Sequence, residues 1–67
     1  MNLKDFVEHL EGNPLVDITV WRDNYPYTIA RMRKDNVLKS PKFNQYSSIE
    51  VSDYAKDGRD YVIYLVI

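Results

Sequence analysis

The chain has 67 residues, a formal net charge of −1 and no cysteine. A chain this short folds as one small domain around a single core, and we predict that residues 1–67 form that domain. The lack of cysteine excludes disulfides, thiolate zinc sites and cysteine nucleophiles, and the single histidine excludes a histidine-rich metal cluster.

Residues 2–11 have the pattern of a short amphipathic helix. Asn2 is a good N-cap, because its side chain can accept a hydrogen bond from a free backbone N–H, and Asp5 follows three residues later. The apolar residues recur at helical spacing: Leu3, Phe6, Val7 and Leu10. Gly12 and Pro14 then end the helix. Three turns are marginal in water, so this helix must pack on another element.

Residues 15–21 alternate apolar and polar side chains, which indicates a half-buried strand. Asn24-Tyr25-Pro26 has the composition of a loop tip, and the strand that follows it runs to Arg33. A three-residue loop pairs Asp17 with Arg33, whereas a second register pairs Asp17 with Arg31. Both registers assign the same side chains to the same faces.

Residues 34–44 are polar around a Ser-Pro pair and predict an irregular connection, in which Val37-Leu38 could add a short edge segment. Lys56-Asp57-Gly58 then separates two runs of strand-forming residues. A three-residue loop with its glycine in the left-handed position opposes Val51 with Ile63, Ile49 with Leu65, and Ser47 with Ile67. A two-residue Asp57-Gly58 turn would mix polar and apolar side chains on each face, so we favour the three-residue loop.

These elements predict an α+β fold, with a short N-terminal helix packed on one face of a three- or four-stranded antiparallel sheet built from two β-hairpins. The predicted core consists of Leu3, Phe6, Val7, Leu10, Val16, Ile18, Val20, Ala30, Met32, Ile49, Val51, Ile63, Leu65 and Ile67. One helix covers one face of a sheet, so the second face needs an explanation.

The second face is predicted to be aromatic, apolar and basic. It carries Trp21, Tyr27, Ile29, Arg31, Arg33, Glu50, Val62, Tyr64 and Val66. Aromatic residues and arginine are the usual anchors of protein interfaces. We therefore predict a partner-binding site made of Trp21, Tyr27, Arg31, Arg33 and Tyr64.

Three other uses of the second face are open. Residues 34–46 could cover it within the chain, or a homodimer could form through Val62, Tyr64 and Val66. Single-stranded nucleic acid could also bind, because residues 21–45 hold six bases against two acids and aromatic side chains stack on bases.

Enzymatic chemistry is not predicted. His9 lies four residues after Asp5, a spacing that permits a hydrogen bond but is more typical of a solvated helix histidine. Asp53, Asp57 and Asp60 lack the spacing of a calcium-binding loop, and no phosphate-binding or zinc-protease motif is present. We expect no catalytic residues, no metal and no cofactor.

The leading hypothesis is a non-enzymatic protein-binding module in the cytoplasm. The first residues lack the basic start and apolar run of a signal peptide, and no segment approaches the ~20 apolar residues that cross a bilayer. Size and composition are also typical of small phage and mobile-element accessory proteins that inhibit or redirect a host protein, which favours an inhibitory or regulatory role.

Overall fold

The computed structural model describes all 67 residues and contains three short helices and four strands. They are α1 (Leu3–Glu8), β1 (Leu15–Arg22), β2 (Tyr25–Arg33), α2 (Lys34–Lys39), α3 (Pro41–Tyr46), β3 (Asp53–Asp57) and β4 (Asp60–Val66). The strands form one sheet in the order β2–β1–β4–β3. The predicted α+β fold, with its N-terminal helix and two hairpins, is confirmed.

The sheet is mixed, because the two hairpins meet through a parallel pairing of β1 with β4. Each hairpin is antiparallel internally, as predicted. Residues 34–52 carry the chain from the end of β2 back along the sheet, so β3 runs in the same direction as β2, and β4 therefore runs parallel to β1. A helical crossover of this kind is the usual way to join strands that lie parallel. The prediction of a wholly antiparallel sheet is wrong in this respect.

Helix α1 is shorter than the predicted span of residues 2–11. The Asn2 side chain accepts a hydrogen bond from the Asp5 backbone N–H at 2.8 Å, which confirms the predicted N-cap. At the other end, the Lys34 ammonium donates to the backbone carbonyls of Glu8 and Leu10. These contacts satisfy carbonyls that the helix leaves without an internal partner.

The first hairpin turns at Asp23-Asn24, not at the predicted Asn24-Tyr25-Pro26 tip. Both turn residues have positive φ, 53° and 63°, as a type I′ turn requires. Asp and Asn tolerate this conformation better than other side chains do. Tyr25 and Pro26 consequently belong to β2, and Asp17 pairs with Arg31, the second of the two registers considered.

A β-bulge at Ile29 changes which residues of β2 face the helices. Ile18 pairs with Ala30, and the next residue of β1 pairs with Thr28, so Ile29 has no partner. Ile29 is buried in the core, and Tyr27 pairs with Val20 on the helix-covered face. The assignment of Tyr27 and Ile29 to the opposite face is therefore wrong, because one extra residue inverts the alternation that precedes it.

The second hairpin turns at Gly58-Arg59, a position that neither predicted register used. Only Gly58 has positive φ, +62°, which is the arrangement of a type II′ turn. Tyr54 now opposes Ile63, and Ala55 opposes Val62. The register that places the apolar side chains on one face is wrong here, because Ile49 and Val51 precede β3 and pair with the N-terminus.

Residues 49–51 pair with the N-terminus instead of extending β3. The Leu3 backbone N–H donates to the Ile49 carbonyl at 2.8 Å, and the Val51 N–H donates to the Met1 carbonyl at 3.1 Å. Glu50 forms a 2.8 Å salt bridge with the terminal ammonium of Met1. Glu50 therefore does not lie on the second sheet face, contrary to the prediction.

Residues 34–46 form α2 and α3, not the predicted irregular connection or edge segment. Ser40 caps α3 through the Phe43 N–H, with Pro41 at the first helical position. Val37 and Phe43 are fully buried in the core. All three helices thus cover one face of the sheet, and residues 34–46 do not cover the other.

The core lies between that helical layer and the sheet. Its buried residues are Leu3, Val7, Leu10, Val16, Ile18, Val20, Ile29, Ala30, Val37, Phe43, Ile63 and Leu65. Phe6, Met32, Ile49 and Val51, predicted as core, are partly buried against it. Ile67 was predicted as core but is exposed.

Candidate binding face

The sheet face without helices is here called the open face. Alternation along the strands assigns to it Leu15, Asp17, Thr19 and Trp21 of β1, Pro26, Thr28, Arg31 and Arg33 of β2, Asp53, Ala55 and Asp57 of β3, and Val62, Tyr64 and Val66 of β4. Because β1 pairs with both β2 and β4, residues from distant parts of the chain lie beside one another on this face.

An apolar patch occupies one end of the open face. Trp21 lies between Pro26 on one neighbouring strand and Val66 on the other. Trp21 is 37% exposed and Val66 is 63% exposed, while Tyr64 and Val62 are half-buried between their neighbours. No helix contributes to this patch, so water covers it in the isolated chain.

Charges of opposite sign border the open face. Arg31 and Arg33 lie on the edge strand β2, and Asp53 and Asp57 lie on the edge strand β3. A partner therefore meets a basic margin on one side and an acidic margin on the other.

Asp17 lies near the centre of the open face. One carboxylate oxygen, Oδ2, is 3.7 Å from Arg31 Nε, a loose ion pair in which the arginine side chain is 74% exposed. The other oxygen, Oδ1, is buried and accepts no hydrogen bond. Asp17 therefore places a partly buried carboxylate at the centre of this face.

Four of the five predicted partner-binding residues lie on the open face: Trp21, Arg31, Arg33 and Tyr64. The residues named for a homodimer, Val62, Tyr64 and Val66, lie there as well. Tyr27 does not. The fold therefore places the predicted binding residues on one face, except Tyr27, which the bulge at Ile29 moves to the other face.

Tyr27 contacts α3 instead. Its hydroxyl is 2.9 Å from the hydroxyl of Tyr46. This hydrogen bond, with partial burial and the Tyr46 charge as further causes, raises the pKa of Tyr27 above its ordinary value of 10.0, against a lowering by Arg22. Tyr27 thus joins the sheet to the helical layer.

The groups considered for catalysis do not assemble. His9 Nδ1 lies 2.6 Å from the backbone carbonyl of Asp5, and the Asp5 carboxylate is not its partner. Asp60 Oδ1 accepts a hydrogen bond from the backbone N–H of Leu15 at 3.2 Å. No group of three or more histidine or acidic side chains could hold a metal ion.

A second surface, which we call the basic cleft, was not predicted from the sequence. It lies at the end of the sheet where β2 ends and β1 begins, between residues 9–14 and the Gly58-Arg59 turn. Arg33, Lys56 and Arg59 all line it. The signal was present as basic residues around a glycine turn, but only the parallel pairing of β4 with β1 brings that turn beside residues 9–14.

No model of a protein family, no curated protein and no solved structure matches this chain. None of its helices combines the length and the apolar character needed to span a membrane. Its function is therefore inferred from its own surfaces.

Proposed function

We propose that this chain is a non-enzymatic protein-binding module that holds its partner on the open face and thereby inhibits or regulates it. The observation that carries the proposal is the packing of all three helices on the other face, which leaves Trp21, Tyr64 and Val66 without a covering element. Aromatic side chains beside arginine have the composition of interface hot spots. An apolar patch exposed on so small a domain also favours aggregation unless a partner covers it.

The chemistry of the open face specifies the kind of partner. An apolar protrusion would pack on Trp21 and Val66, and carboxylates at its margin would face Arg31 and Arg33. The partner is thus a protein surface with an apolar centre, an acidic margin that faces the arginines of β2 and a basic margin that faces the aspartates of β3.

Single-stranded nucleic acid is the second candidate. Trp21 and Tyr64 offer stacking surfaces, and two arginines lie on the same face. Against this, the carboxylates of Asp17, Asp53 and Asp57 lie on that face and would repel phosphates. Fluorescence anisotropy with a labelled single-stranded oligonucleotide tests it, since binding should weaken steeply as salt increases. No binding at low salt removes this candidate.

A homodimer is the third candidate. Two copies related by a two-fold axis can set the basic margin of one open face against the acidic margin of the other. Val62, Tyr64 and Val66 would then lie at the interface. Sedimentation equilibrium would show twice the chain mass at micromolar concentration, and a Tyr64→Asp variant would return it to one.

The proposal is tested by capture from a lysate of the native cell with the full chain as bait. Partners identified by mass spectrometry are then purified and titrated in solution against wild type, Trp21→Ser and Tyr64→Ser. Each substitution removes a hot-spot anchor and should weaken binding by about thirtyfold or more. Circular dichroism should stay unchanged, because neither side chain belongs to the core.

Tyr25→Ser is the matched control. Tyr25 is 73% exposed but lies by alternation on the side opposite Trp21, so its loss should leave the affinity unchanged. If partner binding survives both substitutions on the open face in a folded protein, or if Tyr25→Ser weakens it equally, the proposed site is wrong.

A further inference from the structure

The basic cleft has the dimensions of a small-molecule site. Its volume is about 590 Å³, within the range of roughly 300–1,000 Å³ that such sites occupy. Most of its lining residues are polar or charged, and the half-buried ring of Tyr61 is among its apolar surfaces. A polar ligand therefore fits it better than an apolar one.

Positive charge predominates in the basic cleft. Arg33, Lys56 and Arg59 line it against one acid, Glu11. None of the three bases forms a salt bridge or a side-chain hydrogen bond within the chain. Lys56 has only a weak contact, with its ammonium 5.7 Å from the centre of the Tyr61 ring. The donors of all three bases are available to a ligand.

The fold brings these bases together from two strand ends and one turn. Lys56 and Arg59 flank Asp57-Gly58 at the β3–β4 connection, and Arg33 is the last residue of β2. Lys34, the next residue, caps α1 and so does not contribute. Asp60, beside Arg59, is occupied by the Leu15 backbone N–H. The Asp60 carboxylate therefore has a partner within the chain, whereas the three bases do not.

The backbone on both walls of the cleft is open to a ligand. Gly12 and Gly58 have positive φ, +71° and +62°, and a Cβ built on either would meet no atom within 4 Å. Glycine at such positions lets a ligand approach the main chain closely.

We propose that the basic cleft binds a small phosphate-bearing molecule, with Arg33, Lys56 and Arg59 contacting the phosphate oxygens. Three basic residues in the lining of one cleft suit a group with more than one negative charge, and arginine matches phosphate through paired N–H donors. The Tyr61 ring provides a surface for a ring attached to the phosphate. This activity is distinct from partner binding on the open face, and the two surfaces share only Arg33.

The test is a titration of the ¹⁵N-labelled full chain with inorganic pyrophosphate and, separately, with ADP at constant ionic strength. Both should give saturable shifts at Gly12, Asn13, Gly58 and Arg59. Lys56→Gln and Arg59→Gln should each weaken binding by about tenfold or more, since each removes a charge-assisted hydrogen bond. Tighter binding of ADP than of pyrophosphate, abolished by Tyr61→Leu, would assign the ring contact; equal affinities would assign recognition to the phosphates alone.

Lys42→Gln is the control for general charge, because Lys42 is an exposed base on α3 away from the cleft. It should leave the affinity unchanged. Shifts that grow without saturation, or a loss of binding with Lys42→Gln as large as with Arg59→Gln, would overturn the proposal. Lys56 and Arg59 are absent from the apolar patch, so failure of this test leaves the partner-binding proposal standing, and failure of the Trp21 and Tyr64 tests leaves this one standing.

Discussion

Lys34 is a charged residue whose role in this fold is structural. It is half-buried, and its ammonium lies 3.1 Å from the Glu8 carbonyl and also contacts the Leu10 carbonyl. It therefore joins the start of α2 to the end of α1, a short helix that would not be stable alone. The side chain of the preceding residue, Arg33, is also basic but forms no salt bridge within the chain, so it is free for a ligand.

Lys34→Met should lower the free energy of unfolding by about 1–2 kcal/mol, because it removes hydrogen bonds to a charged donor and leaves helix-end carbonyls without a partner. Urea denaturation measures this. Lys39→Met, at an exposed position on the same helix, should change stability by no more than about 0.5 kcal/mol. Equal effects of the two substitutions would contradict the capping role.

Tyr27 should titrate above its ordinary pKa of 10.0 because of the hydrogen bond to Tyr46. A pKa raised by folding contributes stability that is complete below the unfolded pKa, near 10, and is lost as pH rises through the folded pKa. The stability difference between wild type and Tyr46→Phe should therefore shrink above about pH 10.

The ring carbon shifts of labelled tyrosine resolve this titration for individual residues. Tyr46→Phe should lower the pKa of Tyr27 toward its ordinary value, and Tyr25→Phe should not change it. A Tyr27 pKa that is insensitive to Tyr46→Phe would show that the hydroxyl pair does not cause the shift.

At the scale of elements, the two tight turns decide the hairpin registers. Asn24 has φ 63° in a type I′ turn, for which Asp-Gly is a preferred pair, so Asn24→Gly should stabilise the protein by about 0.5 kcal/mol. Gly58→Ala should destabilise it by about 1–2 kcal/mol, because the φ of +62° strains any Cβ even though no atom crowds it. Urea midpoints of the two variants should thus move in opposite directions; a shift of both in the same direction would contradict the turn assignments.

Local patterns predicted the elements better than their connections. The Asn2 cap, the buried alternation of β1 and the two faces of β4 could all be predicted, since each depends on neighbouring residues. The bulge at Ile29 has no signature in β2, which reads as a continuous strand. The parallel pairing depends on where residues 34–52 cross the sheet, which no local pattern specifies.

The missed helices had a usable signal. Ser40 followed by Pro41 is a common N-cap and first-turn pair, and it marks the start of α3. Each of α2 and α3 has six residues, too few for a clear helical period. Alternation of side chains along the strands correctly placed Trp21 and Tyr64 on the open face. It failed for Tyr27, because the bulge at Ile29 breaks the alternation in β2.

For the molecule as a whole, the arrangement separates two surfaces. The apolar patch lies at the end of the open face where β1 ends, and the basic cleft lies at the end where β1 begins. Arg33 belongs to both the open face and the cleft lining. A phosphate in the cleft would therefore engage one arginine of the basic margin, and the two ligands would compete for its guanidinium.

Fluorescence of Trp21, the single tryptophan of the chain, measures most directly whether the open face is free for a partner. Acrylamide should quench it readily in a preparation shown by sedimentation to be monomeric, because Trp21 is 37% exposed and no helix covers it. Saturation with the purified partner should shift the emission to the blue and suppress quenching. Emission that is equally blue and equally protected in the free monomer and in the complex would contradict an open binding face.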